Sequence, residues 1–127
     1  MTAPDLPPLN QTTLWQIIHQ EMSDETVNQL LAYYLGYRYD AHTQQWCLEA
    51  VDPEWAEAYP QPPDFIASRP ATVKLTRSIP KPCKQLLKEQ LGFSGYQVHE
   101  LTPTLTRRAT AVNWLLSYVA QHDIALG

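Results

Sequence analysis

The sequence predicts an α+β domain, a small sheet of about four strands with about five helices packed mainly on one face. Three observations predict it. Apolar residues recur at helical spacing near both ends of the chain, and the middle holds short alternating or aromatic-rich runs. Eleven prolines against four glycines cut the 127 residues into many short elements. The length suits one core, and 44% hydrophobic with 17% charged residues is too apolar for disorder.

Residues 1–9 read as a flexible proline-rich arm, and residues 10–127 as the single domain. Asn10 or Thr12 can cap a helix carrying Leu14, Trp15, Ile17 and Ile18, expected to end near Met22. Ser23 with Asp24 and Glu25 starts a second helix, because acids in the first turn complement the helix dipole. Its stripe is Val27, Leu30, Leu31, Tyr34 and Leu35, and Gly36 stops it. From Gly36 to Glu49, aromatic and β-prone residues flank the polar break Asp40–Gln44, which predicts a β-hairpin. A short helix is expected around Pro53–Ala58, followed by an extended path through Gln61–Asp64.

Between Ala71 and Ile79, Val73, Leu75 and Ile79 alternate with Thr72, Lys74, Thr76 and Ser78, which predicts a half-buried strand. Arg77 then falls on the apolar side, where it needs a carboxylate, a ligand or a bulge. Pro80 and Pro82 end that strand and open a helix over Cys83–Leu91, stopped by Gly92. Tyr96–Leu101 reads as another short strand. Thr102-Pro103 caps the last helix, which runs to about Gln121; its broad apolar face makes it the expected central packing helix.

The charge is polarised. One cation, Arg38, faces ten carboxylates in residues 1–64, a net of −9; eight cations face three carboxylates in residues 65–127, a net of +5. Such asymmetry bears on partners and association rather than on fold. No apolar run approaches the roughly 20 residues that span a bilayer, and the first residues lack a secretory pattern. A cytoplasmic protein without membrane insertion is expected. Cys47 and Cys83 are isolated, which predicts buried thiols rather than a disulfide or metal pair.

Catalytic patterns are missing. The histidines (His19, His42, His99 and His122) are scattered one per element, so no metal site is expected. The stretch from Gly92 to Tyr96 has the spacing of a turn, not that of a nucleophile elbow. Clustered glycines for a phosphate loop are absent. A non-enzymatic protein without cofactor follows; an enzyme would need dispersed residues such as Arg77, His99 and Glu100.

Two constellations remain. Lys81, Lys84 and Lys88 recur at helical spacing, and Lys74, Arg77 and the Arg107–Arg108 pair extend the basic set. Eight of thirteen aromatics fall between Tyr33 and Phe65. Tyr34 and Trp46 are expected in the core, whereas Tyr37, Tyr39, Trp55 and Tyr59 are the surface candidates. These basic and aromatic residues are the predicted partner-binding set. The alternative is a nucleic-acid-binding regulator using the basic half, against which the pI near 5.4 argues.

Several stretches resemble a family of short cyanobacterial and plastid proteins of unknown function. They are GYRYD at 36–40 with Trp46, Glu54-Trp55, Tyr59-Pro60, PPDFI at 62–66, RPATVKLTRSIP at 69–80, LKEQLGF at 87–93 and RRATAVNWLLSY at 107–118. Size and element count also resemble the carboxysome assembly chaperone family (CcmS). That second resemblance implies no catalysis, a homodimer, and a groove that captures the C-terminal tail of a shell protein. The expected function is therefore an adaptor or assembly chaperone binding an extended segment of a partner protein.

Overall fold

In the computed structural model, residues 6–93, 95–96 and 102–122 are described. Among them the architecture is helix-dominated α+β, six α-helices with one two-stranded antiparallel sheet. Two of the four expected strands are found among the described residues, and the segment expected to supply a third is a helix. The strand expected at Tyr96–Leu101 lies, beyond Tyr96, outside the described residues.

The first two helices follow their caps. Helix α1 (Gln11–Ile18) starts where the Asn10 side chain accepts from the Thr13 amide at 2.9 Å, and it ends a turn earlier than expected. Helix α2 (Asp24–Leu35) starts where Ser23 accepts from Thr26 N–H and stops at Gly36, whose φ is +108°. A Cβ there would lie 2.2 Å from the Ala50 carbonyl oxygen, so the chain needs glycine for both its angle and its close approach.

Strands β1 (Arg38–Asp40) and β2 (Gln45–Cys47) form the expected hairpin, with Tyr39 opposite Trp46. Helix α3 (Pro53–Ala58) starts with Asp52 accepting from Glu54 N–H and proline at the first position. The prolines at 60, 62 and 63 lead to Asp64, whose Oδ1 accepts from the Ile66 and Ala67 amides and from Asn28 Nδ2. Asn28 Oδ1 in turn accepts from Phe65 N–H at 2.9 Å. This reciprocal pair ties the proline segment to the side of α2.

Helix α4 (Arg69–Ser78) corrects the predicted strand at Ala71–Ile79. Ala71, Leu75 and Ile79 fit period two and period four equally well. Val73 decides between them: a strand would bury it with the others, and it is 38% exposed. The start signal is local, a Ser68 cap accepting from Ala71 N–H with proline in the first turn. Arg77 consequently stands exposed on a helix and needs no buried partner.

The expected helix over Cys83–Leu91 divides into a 3₁₀ turn (Lys81–Cys83) and helix α5 (Leu86–Leu91). Its late start has a tertiary cause, since Asn113 of helix α6 (Pro103–Gln121) accepts from Leu87 N–H and donates to the Lys84 carbonyl. No side chain of its own caps α5. Helix α6 is the central packing element, in contact with α1, α2, α4 and α5. Ala111, Val112, Leu115 and Leu116 of α6 are buried in one cluster with Leu14, Ile17, Leu30, Leu31 and Leu75. No helix of the described residues is long and apolar enough to cross a membrane.

Candidate functional site

The hairpin, the outer face of α2 and the proline segment enclose an open groove of about 850 Å³. Gly36 turns the chain so that the hairpin folds back alongside α2, and the Asn28–Asp64 pair holds the proline segment as the facing wall. Tyr33, Tyr37, Tyr39 and Trp46 line it with Pro62 and Pro63. Tyr39 stacks edge-on against Trp46 across the strand pair, with ring centroids 5.1 Å apart, a geometry that favours aromatic pairs.

The polar chemistry of this groove is acidic. Glu25, Asp40 and Asp64 line it against one cation, Arg38. That guanidinium is committed locally: it donates to the Tyr33 and Tyr37 carbonyls at 2.6 and 2.8 Å and lies 3.7 Å over the Tyr33 ring. There it satisfies carbonyls at the C-terminal end of α2, where a cation is favourable. Burial alone would raise the Asp64 carboxyl, but hydrogen bonds from Ala67 N–H, Asn28 and Ile66 N–H outweigh it and hold its pKa below the ordinary value. Asp64 is thus an anion at neutral pH. The hydroxyls of Tyr33 and Tyr39 and the indole N–H of Trp46 make no hydrogen bond among the described residues. They are donors available to a ligand.

The predicted aromatic set is redistributed. Tyr39 is 45% exposed, as expected of a contact residue. Tyr37, expected at the surface, is 2% exposed and donates to the Tyr59 carbonyl at 2.8 Å; only part of its ring forms the groove floor. Burial, and then the neighbouring Tyr59, push its pKa up to about 12. Trp55, also expected outside, is 4% exposed, and Tyr59 is half-buried against it. Tyr34 and Trp46, expected in the core, are half-buried at its margin. Alternation along a strand cannot tell which face is covered by a segment twenty residues further on. For Tyr37 that cover is α3 and Tyr59.

The basic set also divides. Arg108 is 3% exposed and donates to the Ile17 carbonyl (3.0 Å), the Met22 carbonyl (2.7 Å) and Asp24. It joins both ends of the α1–α2 connection to α6. Arg107 donates to the Ile66 and Ala67 carbonyls. The pair's partners are therefore internal, which corrects the expectation of an external one. Lys81, Lys84 and Lys88 are exposed but sit on a 3₁₀ turn, a linker and α5 rather than along one helix. Lys84 Nζ donates to the Thr76 carbonyl at the end of α4.

Lys74, Arg77 and Trp55 do come together. They line a second concavity, of about 610 Å³, with Arg69 and Val73 on the outer face of α4. Sequence reasoning missed Tyr33, Arg38 and Trp46 as lining of the first groove and Arg69 in the second. The Ser68 cap was the signal that would have recovered Arg69, by replacing the strand with a helix.

His99 and Glu100 lie outside the described residues. Cys47 and Cys83 are free and half-buried. No group of three or more metal-ligating side chains converges among the described residues.

The profile of a family described as a domain of unknown function, DUF1823, matches residues 8–120. The chain belongs to the DUF1823 family. A structure described as the solution NMR structure of a protein is similar, with 54% identity over 92% of this chain and 98% of that one and a TM-score of 0.80. No curated protein matches the chain. The residues matched to DUF1823 include the lining of both concavities.

Proposed function

We propose that this DUF1823 protein is a non-enzymatic adaptor or assembly chaperone whose aromatic groove takes an extended segment of a partner protein. The supporting observation is the groove's chemistry: four aromatic side chains, three aromatic donors that make no hydrogen bond among the described residues, and carboxylates in excess of cations. An extended or polyproline-type segment offers flat pyrrolidine faces and outward carbonyls, the complement of Tyr and Trp rings carrying free N–H and O–H groups. The acidic lining selects a segment that also carries lysine or arginine. Little ordering is needed, because the hairpin, α2 and the proline segment are already tied together by hydrogen bonds.

The resemblance to the carboxysome assembly chaperones suggests the C-terminal tail of a shell protein as the first partner to try. It also suggests a homodimer, for which light scattering at low and high salt is the measurement. Groove binding is tested by calorimetry with peptides containing proline and arginine, alone and with that tail. Saturable binding that Tyr39→Ala weakens about tenfold or more, roughly 1.4 kcal/mol, supports the reading. Equal binding by wild type and Tyr39→Ala removes the groove from the mechanism. The absence of saturable binding to every such segment removes the function.

A further inference from the structure

We infer a second binding site on the outer face of α4, for a short extended acidic segment with an apolar residue between its carboxylates. It does not depend on the aromatic groove.

Arg69, Val73 and Arg77 recur every four residues and so share one line along the helix, with Lys74 beside them. The Lys74 ammonium lies 5.2 Å over the Trp55 ring, which fixes the far wall of the concavity. Among the described residues none of these three cations pairs with a carboxylate, and Arg108–Asp24 is the ion pair found there. Glu54 is the acid of this lining, leaving three cations against one anion in a chain of net charge −4. Arg69 also occupies the first position of α4, where the helix dipole disfavours a cation. Three cations gathered there give the concavity an excess of positive charge that an anionic segment would complement.

The spacing narrows the class of ligand. Eight residues of helix separate Arg69 from Arg77, about 12 Å at the α-helical rise. Four residues of extended chain span about 13 Å. A segment with acidic residues at i and i+4 therefore sets one carboxylate near each arginine, and its residue i+2 falls over the exposed Val73 side chain. A long polyanion fits less well. Glu54 lines the concavity, and Asp52 and Glu57 lie near it in sequence at the cap and on α3, so a strand of closely spaced phosphates meets more repulsion than a short peptide with two carboxylates.

The test is an amide and indole NMR titration of the full chain at low salt. The probes are a blocked decapeptide containing Glu-Ser-Leu-Ser-Glu, its Gln-Ser-Leu-Ser-Gln counterpart, and an oligothymidylate. Supporting results are shifts centred on Val73, Lys74, Arg77 and the Trp55 indole with the Glu peptide. Arg77→Glu should weaken binding about tenfold or more, while Tyr39→Ala leaves it unchanged. Arg77 is exposed, so that variant should keep the wild-type spectrum elsewhere. The inference is overturned by no shift at millimolar peptide, by equal binding of the Gln peptide, or by tighter binding of the oligothymidylate. None of those outcomes bears on the aromatic groove, because Tyr39→Ala and the proline–arginine peptides report on it separately.

Discussion

Replacing Arg108 with methionine keeps most of the side-chain volume and removes three donated hydrogen bonds at once. The loss at each acceptor differs. Ile17 keeps a partner, because its carbonyl also accepts from the Gln20 amide at 3.3 Å just past the end of α1; about 0.5–1 kcal/mol is lost there. The Met22 carbonyl makes no other backbone bond among the described residues, and leaving it unpaired at a part-buried position costs about 1–2 kcal/mol. Asp24 has a side chain 51% exposed, so water replaces the guanidinium and the pair contributes no more than about 1 kcal/mol. Against these losses, Arg108 Nε is buried with no hydrogen-bond partner among the described residues, and deleting it returns about 1 kcal/mol. The net is a destabilisation of about 2 kcal/mol for Arg108→Met, within a span of about 0.5–3, against about 0.5–1 for Asp24→Asn. With a urea slope near 1.5 kcal/mol per molar, the midpoint should fall by about 1.3 M for the arginine variant. Equal midpoints for wild type and Arg108→Met would refute this accounting. So would an Asp24→Asn variant as unstable as Arg108→Met. A stable Arg108→Met protein that has lost peptide binding would return Arg108 to the partner-binding set.

Three further predictions follow from single residues. Tyr37→Phe deletes the hydroxyl that donates to the Tyr59 carbonyl and should cost about 1 kcal/mol in urea melts. In the wild type this phenol, raised to about 12 when folded, adds stability that is complete below the ordinary value of 10.0 and is lost as pH rises through that interval. Above pH 10 the stability of wild type should therefore fall more steeply than that of Tyr37→Phe, by about 1–3 kcal/mol in total; parallel curves would contradict the burial of Tyr37. Gly36→Ala meets the Ala50 carbonyl oxygen at 2.2 Å and should lower stability by more than about 2 kcal/mol, whereas Gly92→Ala, at φ +71° with open space, should cost only about 1–2 kcal/mol. Tyr39→Ala should move the urea midpoint by less than about 0.5 M while weakening groove binding, since the ring is largely outside the core.

Caps, stops and the apolar stripes of long helices are local, and they were legible without coordinates. Asn10, Ser23 and Thr102 each place a side-chain acceptor over amides three residues ahead, and Gly36 and Gly92 supply left-handed angles. The same holds for the hairpin and for the short helix opened by Pro53. What only the tertiary structure decided lies where local patterns are degenerate or where the deciding partner is distant in the chain. Ala71, Leu75 and Ile79 satisfy two periods at once, and packing against α6 selects the helix and leaves Val73 outside. The start of α5 is set by Asn113, and the fate of Arg108 by carbonyls and a carboxylate more than eighty residues away. Both concavities also depend on long-range pairings: one wall of the first is held by Asn28 and Asp64, and the second joins α4 to Trp55 of α3. Sequence specifies which backbone amides meet a local cap. Which side chains stay in water is settled only when distant segments cover the rest.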